Sequence, residues 1–182
     1  MRFFFIGAVA ALTVCAGLAA LFVVSGSFDV AATNTPGRLE EAVATFALDR
    51  SIARHAAAAH NPLSDSPSVS RAALATFRQS CVACHGAPGV DPTDFGASLN
   101  PPAPGLTLSR VQKRPDGELF WIVRNGIRMT GMPAFGPTHS DREIWEIVAL
   151  VRHLPVLTAG ERRELSPNDL TSISAEKPPA TR

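Results

Sequence analysis

The sequence predicts an all-α fold. Apolar side chains recur every three or four residues in several segments, and these segments begin at capping residues and end at Gly or Pro. No segment of any length alternates apolar and polar residues as a half-buried strand does. Gly and Pro instead concentrate in loops, above all at residues 100–105 and 125–137. With 182 residues, the chain has room for one domain of modest size plus added segments.

The N-terminal segment is apolar enough to cross a membrane. Residues 3–24 carry no charge, and as a helix they would be about 33 Å long, enough for a bilayer core. Arg2 precedes this segment and the next basic residue is Arg38, so the positive-inside rule places the rest of the chain outside the cytoplasm. We expect residues 1–27 to be an uncleaved anchor. A cleaved signal peptide is the alternative, because small residues near its end offer cleavage sites.

Residues 28–69 predict one helix and a linker. Thr35 and Pro36 suit the start of a helix over 36–59. Its apolar stripe would pack on the following domain, on a partner or on the membrane surface, and it consists of Leu39, Ala42, Val43, Phe46, Ala47 and Ala53. His55 and His60 are typical of solvated histidines rather than ligands. A polar, proline-bearing linker then follows over 61–68.

Three helices are predicted in a domain over residues 70–157. The first is capped by Ser70 and has Ala73, Leu74, Phe77 and Cys81 on one side. A loop then extends to Pro115. The second runs from Asp116 as cap to Asn125-Gly126, and the third starts at a Ser140/Glu143 capping box and ends before Pro155. Residues 158–182 turn to charge, Ser and Pro, which predicts a short last turn and a disordered tail.

Residues 81–85 read Cys-Val-Ala-Cys-His. Two thiols on one helical turn can each add to a vinyl group of haem, and the adjacent His85 then lies under the iron. A redox Cys pair or half of a zinc site is the alternative, but the first favours a βαβ setting and the second needs two further ligands. The motif therefore predicts one haem c, attached through Cys81 and Cys84. A bound haem would also supply the core that the long loop lacks.

The loop 125–137 offers a second iron ligand. It holds Met129 and Met132, the chain's two methionines besides the initiator. Met132 is favoured because Gly131 and Pro133 fix the backbone around it, whereas Met129 follows a bulky arginine. A thioether ligand closes the distal side of the iron and indicates electron transfer, whereas an open side indicates gas binding or catalysis.

The order Cys-x-x-Cys-His, Pro-x-Leu, Met-Pro-Ala-Phe and amphipathic C-terminal helix makes residues 70–157 resemble a class I cytochrome c of the membrane-anchored bacterial monohaem type. The resemblance implies a small helical domain wrapped round one haem, with a helix crossing at Ala73, Phe77 and Trp145. It also implies that the Pro104 carbonyl accepts the His85 ring N–H, that Leu106 lines the haem, and that Met132 is the axial methionine.

We therefore expect an electron carrier rather than an enzyme, with redox proteins as donor and acceptor. The haem domain would lie on the periplasmic side of a bacterial cytoplasmic membrane. A haem subunit or electron-entry module of a larger oxidoreductase, and a ligand-binding haem sensor, are the alternatives. The net charge of +1 gives no indication of nucleic-acid binding. A basic bias that would dock an acidic partner, or would simply be solvated, comes from Arg110, Lys113, Arg114, Arg124 and Arg128.

Overall fold

The computed structural model describes residues 1–27, 29–56, 60–63 and 70–166. Within these ranges the regular elements are helices, and the only β-type pairing is an isolated bridge between Ala87 and Val90. The predicted all-α fold is confirmed. The chain divides into two compact units, one within residues 1–36 and the other beginning at Gly37.

The first unit contains α1, Arg2–Val24, in which every residue is exposed. Among the described residues, α1 is the helix long and apolar enough to cross a membrane, a property that a signal sequence shares. Its exposed Cys15 is a free thiol.

The second unit opens with α2, Arg38–Ala56, which begins later than the sequence predicts. Its first helical hydrogen bond runs from Glu41 N to the Gly37 carbonyl at 2.9 Å, so Thr35 and Pro36 precede the helix. The predicted end at residue 59 lies outside the described residues. The predicted stripe is largely exposed, as shown by Leu39, Val43 and Phe46. The buried residues of α2 are instead Ile52 and Ala56.

The cysteine motif lies where α3, Arg71–Ser80, meets the single turn α4, Val82–His85. Ser70 caps α3 as predicted, since its hydroxyl accepts the Ala73 N–H at 3.0 Å. Cys81 follows the last residue of α3, and its own N–H bonds to the Phe77 carbonyl at 2.8 Å. The motif is therefore fixed by continuous helical hydrogen bonding.

The predicted loop between the motif and Pro115 contains two single-turn helices, α5 (Asp94–Ala97) and α6 (Ser109–Gln112). Four residues are too few to show helical periodicity in a sequence. Gly96 lets α5 lie against α4, because a Cβ there would come within 2.1 Å of the Ala83 carbonyl oxygen. Thr93 adds a hydrogen bond from its hydroxyl to the same oxygen, at 2.9 Å.

Three helices complete the fold: α7 (Asp116–Asn125), α8 (Asp141–His153) and α9 (Ala159–Leu165), with a 3-10 turn at Leu154–Val156. The Ser140/Glu143 capping box of α8 is present as predicted. Asp116 is not the cap of α7. Pro115 occupies that position, and the Asp116 carboxylate accepts hydrogen bonds from Asn61 and Arg152, both at 2.7 Å.

The end of the described chain forms a helix of 7 residues, longer than the predicted short turn. Thr158 and Glu161 form a second capping box at the start of α9. Leu165, at the end of α9, is buried in the core. The sequence after 166, where a disordered tail is predicted, lies outside the described residues. The packed part of the second unit thus extends beyond the predicted domain 70–157 on both sides.

The core forms where α3 packs against α8 and α9. Ala73, Phe77 and Trp145, which the resemblance assigns to the helix crossing, are all buried in it. Ser70 links the two crossing helices, because its hydroxyl donates to Glu146 Oε2 at 2.8 Å. The Trp145 ring stacks on that of Phe120 with centroids 4.2 Å apart, which attaches α7 to α8.

We predict that Ser70→Ala lowers the free energy of unfolding by about 2 kcal/mol, because one change removes the cap of α3 and the bond to a carboxylate of α8. Denaturant titration of the haem-loaded protein measures this. The control is Ser98→Ala, whose exposed hydroxyl donates only to the local Phe95 carbonyl, and which should cost about 0.5 kcal/mol or less. Equal losses would contradict the double role of Ser70.

Candidate functional site

A cavity of about 330 Å³ opens inside the second unit. Its walls are mostly apolar side chains of α3, α7 and α8, among them Phe77, Leu119 and Val148. All six site residues predicted from the sequence line it: Cys81, Cys84, His85, Pro104, Leu106 and Met132. The fold therefore brings together groups that lie up to 51 positions apart in the chain.

Cys81 and Cys84 are both free thiols, the first buried and the second half-buried. Burial, with a smaller contribution from Cys84, raises the pKa of Cys81 to about 12. Such a thiol stays protonated at neutral pH, whereas a redox-active pair depends on a thiolate. This weighs against the thiol–disulfide alternative. Within the described ranges, no three His, Cys, Asp or Glu side chains are grouped to hold a metal ion.

His85 is oriented by the loop opposite the motif. Its Nδ1 lies 2.9 Å from the Pro104 carbonyl oxygen, the contact that the resemblance implies. Because a carbonyl only accepts, Nδ1 carries the proton, which leaves the lone pair of Nε2 free for a metal. The backbone N–H of His85 bonds to the Cys81 carbonyl at 2.9 Å. The imidazole is thus fixed from both its ring and its backbone.

Leu106 is held in the cavity wall by a side chain from α6. Gln112 Nε2 donates to the Leu106 carbonyl at 2.7 Å and to the Val151 carbonyl at 2.9 Å. One amide group therefore joins the proline-rich loop, residues 100–106, to α8. The position of Leu106 depends on this link as well as on its packing against the core.

The two candidate methionines lie in different surroundings. Met132 is half-buried and lines the cavity, whereas the Met129 side chain is 91% exposed and lies outside the cavity lining. The Met132 N–H donates to Thr130 Oγ1 at 3.1 Å, and the Met132 carbonyl accepts from Ile127 N at 3.2 Å. These bonds within the loop fix the backbone from which the Met132 thioether extends.

Gly126 allows this loop to fold back on the end of α7. It has φ +65°, and a Cβ there would lie 2.7 Å from both the Met132 carbonyl oxygen and the Pro133 carbonyl carbon. Two requirements meet at this position: a left-handed backbone and the close approach of another segment. The sequence pattern around Gly126 indicates only the end of a helix.

Sequence reasoning missed part of the cavity wall. Leu48 and Ile52 of α2 line it, as do Arg110 and Arg114. A signal for the first pair exists, because Leu48, Ile52 and Ala56 recur at four-residue spacing on a second face of α2. His55 and His60 do not line the cavity. The His55 ring stacks on Trp121 of α7 instead, with centroids 5.8 Å apart.

Two of the five basic residues considered for docking are engaged in ion pairs. Arg124 pairs with Asp141 at 2.8 Å. Arg114 pairs with Glu118 at 2.9 Å and with Asp49 of α2. Partial burial lowers the pKa of Arg114, but the hydrogen bonds to the two carboxylates outweigh it and leave that pKa above its ordinary value. The guanidinium at the cavity wall is therefore charged and held in place.

The donor set of the cavity fits haem c. Two adjacent thiols suit covalent attachment, an oriented imidazole and a thioether suit the two axial positions of iron, and apolar walls suit a macrocycle. Residues Cys81 and Cys84 would hold the porphyrin edge, and His85 and Met132 the iron. Among the residues that the structure describes, no second pair of axial donors lines this cavity.

Residues 70–151 match the family model described as cytochrome c oxidase, cbb3-type, subunit III. The match spans less than half of the chain and contains all the site residues predicted from the sequence. Among the lining residues, Leu48 and Ile52 precede the matched segment. No curated protein and no solved structure matches the chain.

We predict that Gly126→Ala destabilises the protein by about 3 kcal/mol or more, because it combines backbone strain with a clash against the methionine loop. The control is Gly89→Ala, which shares a positive φ of +85° but has open space around the added Cβ. It should cost only about 1–2 kcal/mol. Denaturant titration of both variants measures the difference, and equal costs would mean that the close approach is unimportant.

Proposed function

We propose that the protein is an electron carrier with one low-spin haem c and axial ligands His85 and Met132, because residues 70–151 match a cytochrome family model and resemble a class I c-type cytochrome domain. The domain supports haem-based electron transfer in general. The observation that carries the finer proposal is that an oriented imidazole and a half-buried thioether line the same apolar cavity.

When bound, haem c supplies an iron centre that changes its charge by one electron. The Pro104 carbonyl holds the His85 ring in one orientation, so the ligand does not have to reorient when that charge changes. Met132 offers a soft sulfur, which favours the reduced iron. The mostly apolar walls offer few polar groups that would hold water next to the cofactor. These properties together give a relatively high reduction potential and fast electron exchange.

We propose redox proteins as donor and acceptor, met on the periplasmic side of a bacterial cytoplasmic membrane. The apolar helix α1 supports an anchor there, although it also suits a signal sequence. Arg110, Lys113 and Arg128 are exposed, and positive charge of this kind would attract an acidic partner weakly and in a salt-dependent way.

A second candidate function is that of a haem subunit in a larger oxidoreductase. The description of the matched family, which names an oxidase subunit, favours it. Extraction of native membranes with mild detergent distinguishes the two candidates. A free carrier elutes with the mass of the single chain, whereas a subunit elutes with further haem or metal-bearing chains in fixed proportion.

We predict that the oxidised wild-type protein shows the weak far-red band of a sulfur–iron bond, and that Met132→Ala abolishes it. The reduced variant should then bind carbon monoxide, because its distal side is open. Absorption spectra of both oxidation states measure this. The control is Met129→Ala, which removes the other thioether of the loop and should leave both spectra unchanged, since Met129 is 91% exposed.

A wild-type protein that lacks the band and binds carbon monoxide readily would overturn the proposal. The iron would then be open on one side, and the ligand-binding sensor would become the better assignment. A band lost in Met129→Ala but kept in Met132→Ala would retain electron transfer and reverse the choice of ligand.

A further inference from the structure

We propose that α2, which lies outside the matched cytochrome segment, forms one wall of the haem cavity and raises the reduction potential by keeping water away from the cofactor. This inference rests on the proposed function and adds a role for residues 38–56. Two side chains, Leu48 and Ile52, make the contact with the cavity.

One face of α2 lies against the cavity. Ile52 is 0% exposed and Leu48, one turn earlier, is half-buried. On the same helix, Val43 is 59% and Phe46 67% exposed. The difference follows the helical period and not the apolar character of the residues, because all four are apolar. Ile52 is therefore buried because it lies on the face of α2 that meets the cavity.

Contacts on both sides of Ile52 hold α2 in this position. Three residues before it, Asp49 pairs with Arg114, a residue of the cavity wall. Three residues after it, the His55 ring stacks on Trp121 of α7. Arg114 is itself braced by Glu118 at 2.9 Å. These contacts attach α2 to the region around α7, so Leu48 and Ile52 are positioned by more than hydrophobic contact.

The effect on potential follows from charge and solvation. Oxidised iron carries one more positive charge than reduced iron, and water stabilises the more highly charged state. A wall of aliphatic side chains removes that stabilisation and so favours reduction. Leu48 and Ile52 precede the segment 70–151, so that segment by itself does not supply this part of the wall.

The test compares serine substitutions on opposite faces of α2 in the haem-loaded full chain. Ile52→Ser places a hydroxyl at the cavity wall. Val43→Ser is the matched control, since it also replaces a β-branched residue by serine in the same helix but at an exposed position. We expect Ile52→Ser to lower the equilibrium constant for reduction by a fixed donor about tenfold, which for one electron is about 59 mV. Val43→Ser should leave it unchanged.

Leu48→Ser is the second cavity variant, at a half-buried position where a polar side chain is better tolerated. It should shift the potential in the same direction as Ile52→Ser, and it decides the question if Ile52→Ser does not load haem. Unchanged potentials in the folded cavity variants, or an equal shift in Val43→Ser, would overturn the role of α2.

The far-red band separates this inference from the function on which it rests. If the wild type and the serine variants all keep the band while their potentials are equal, α2 is not a functional wall and the electron-carrier assignment stands. If the wild type lacks the band, the proposed ligation itself is wrong, and the role proposed for α2 is overturned with it.

Discussion

The hydrogen bond between His85 Nδ1 and the Pro104 carbonyl oxygen joins the two halves of the site. On one side stands the cysteine motif, fixed by the helical hydrogen bonds of α3 and α4. On the other stands a proline-rich loop whose position depends on Gln112, which bonds to both Leu106 and Val151. The orientation of the imidazole therefore depends on α8 through a chain of three polar contacts.

The second proposed ligand, Met132, is positioned differently. Met132 comes from a loop held by its own backbone bonds and by the close approach of that loop to Gly126. This loop is not part of an α-helix. The position of Met132 therefore depends on how closely the loop packs against the end of α7 at Gly126. The proposed ligation would thus combine an imidazole held by helical structure with a thioether held by a loop.

The sequence was most informative where chemistry or capping leaves a local pattern. The cysteine motif, the Ser70 cap, the Ser140/Glu143 box and the end of α7 at Gly126 all depend on residues close together in the chain, and the structure contains each of them. The start of α2, the helices α5 and α6, and the buried face of α2 were not predicted, and α9 was predicted only as a short turn. Single turns are too short to show a period, and a helix with two apolar faces does not reveal which of them will meet a partner.

Helix α9 is part of the packed core, although it lies beyond the predicted domain. Leu165 is buried against the core, and Arg78 of α3 donates to the Glu164 carbonyl at 3.2 Å. Segments on both sides of the matched residues 70–151 therefore pack against this domain. Before it, α2 forms part of the cavity wall, and after it, α9 packs on α3, the helix that leads into the cysteine motif. The packed unit is therefore larger than the segment 70–151 that matches the family model.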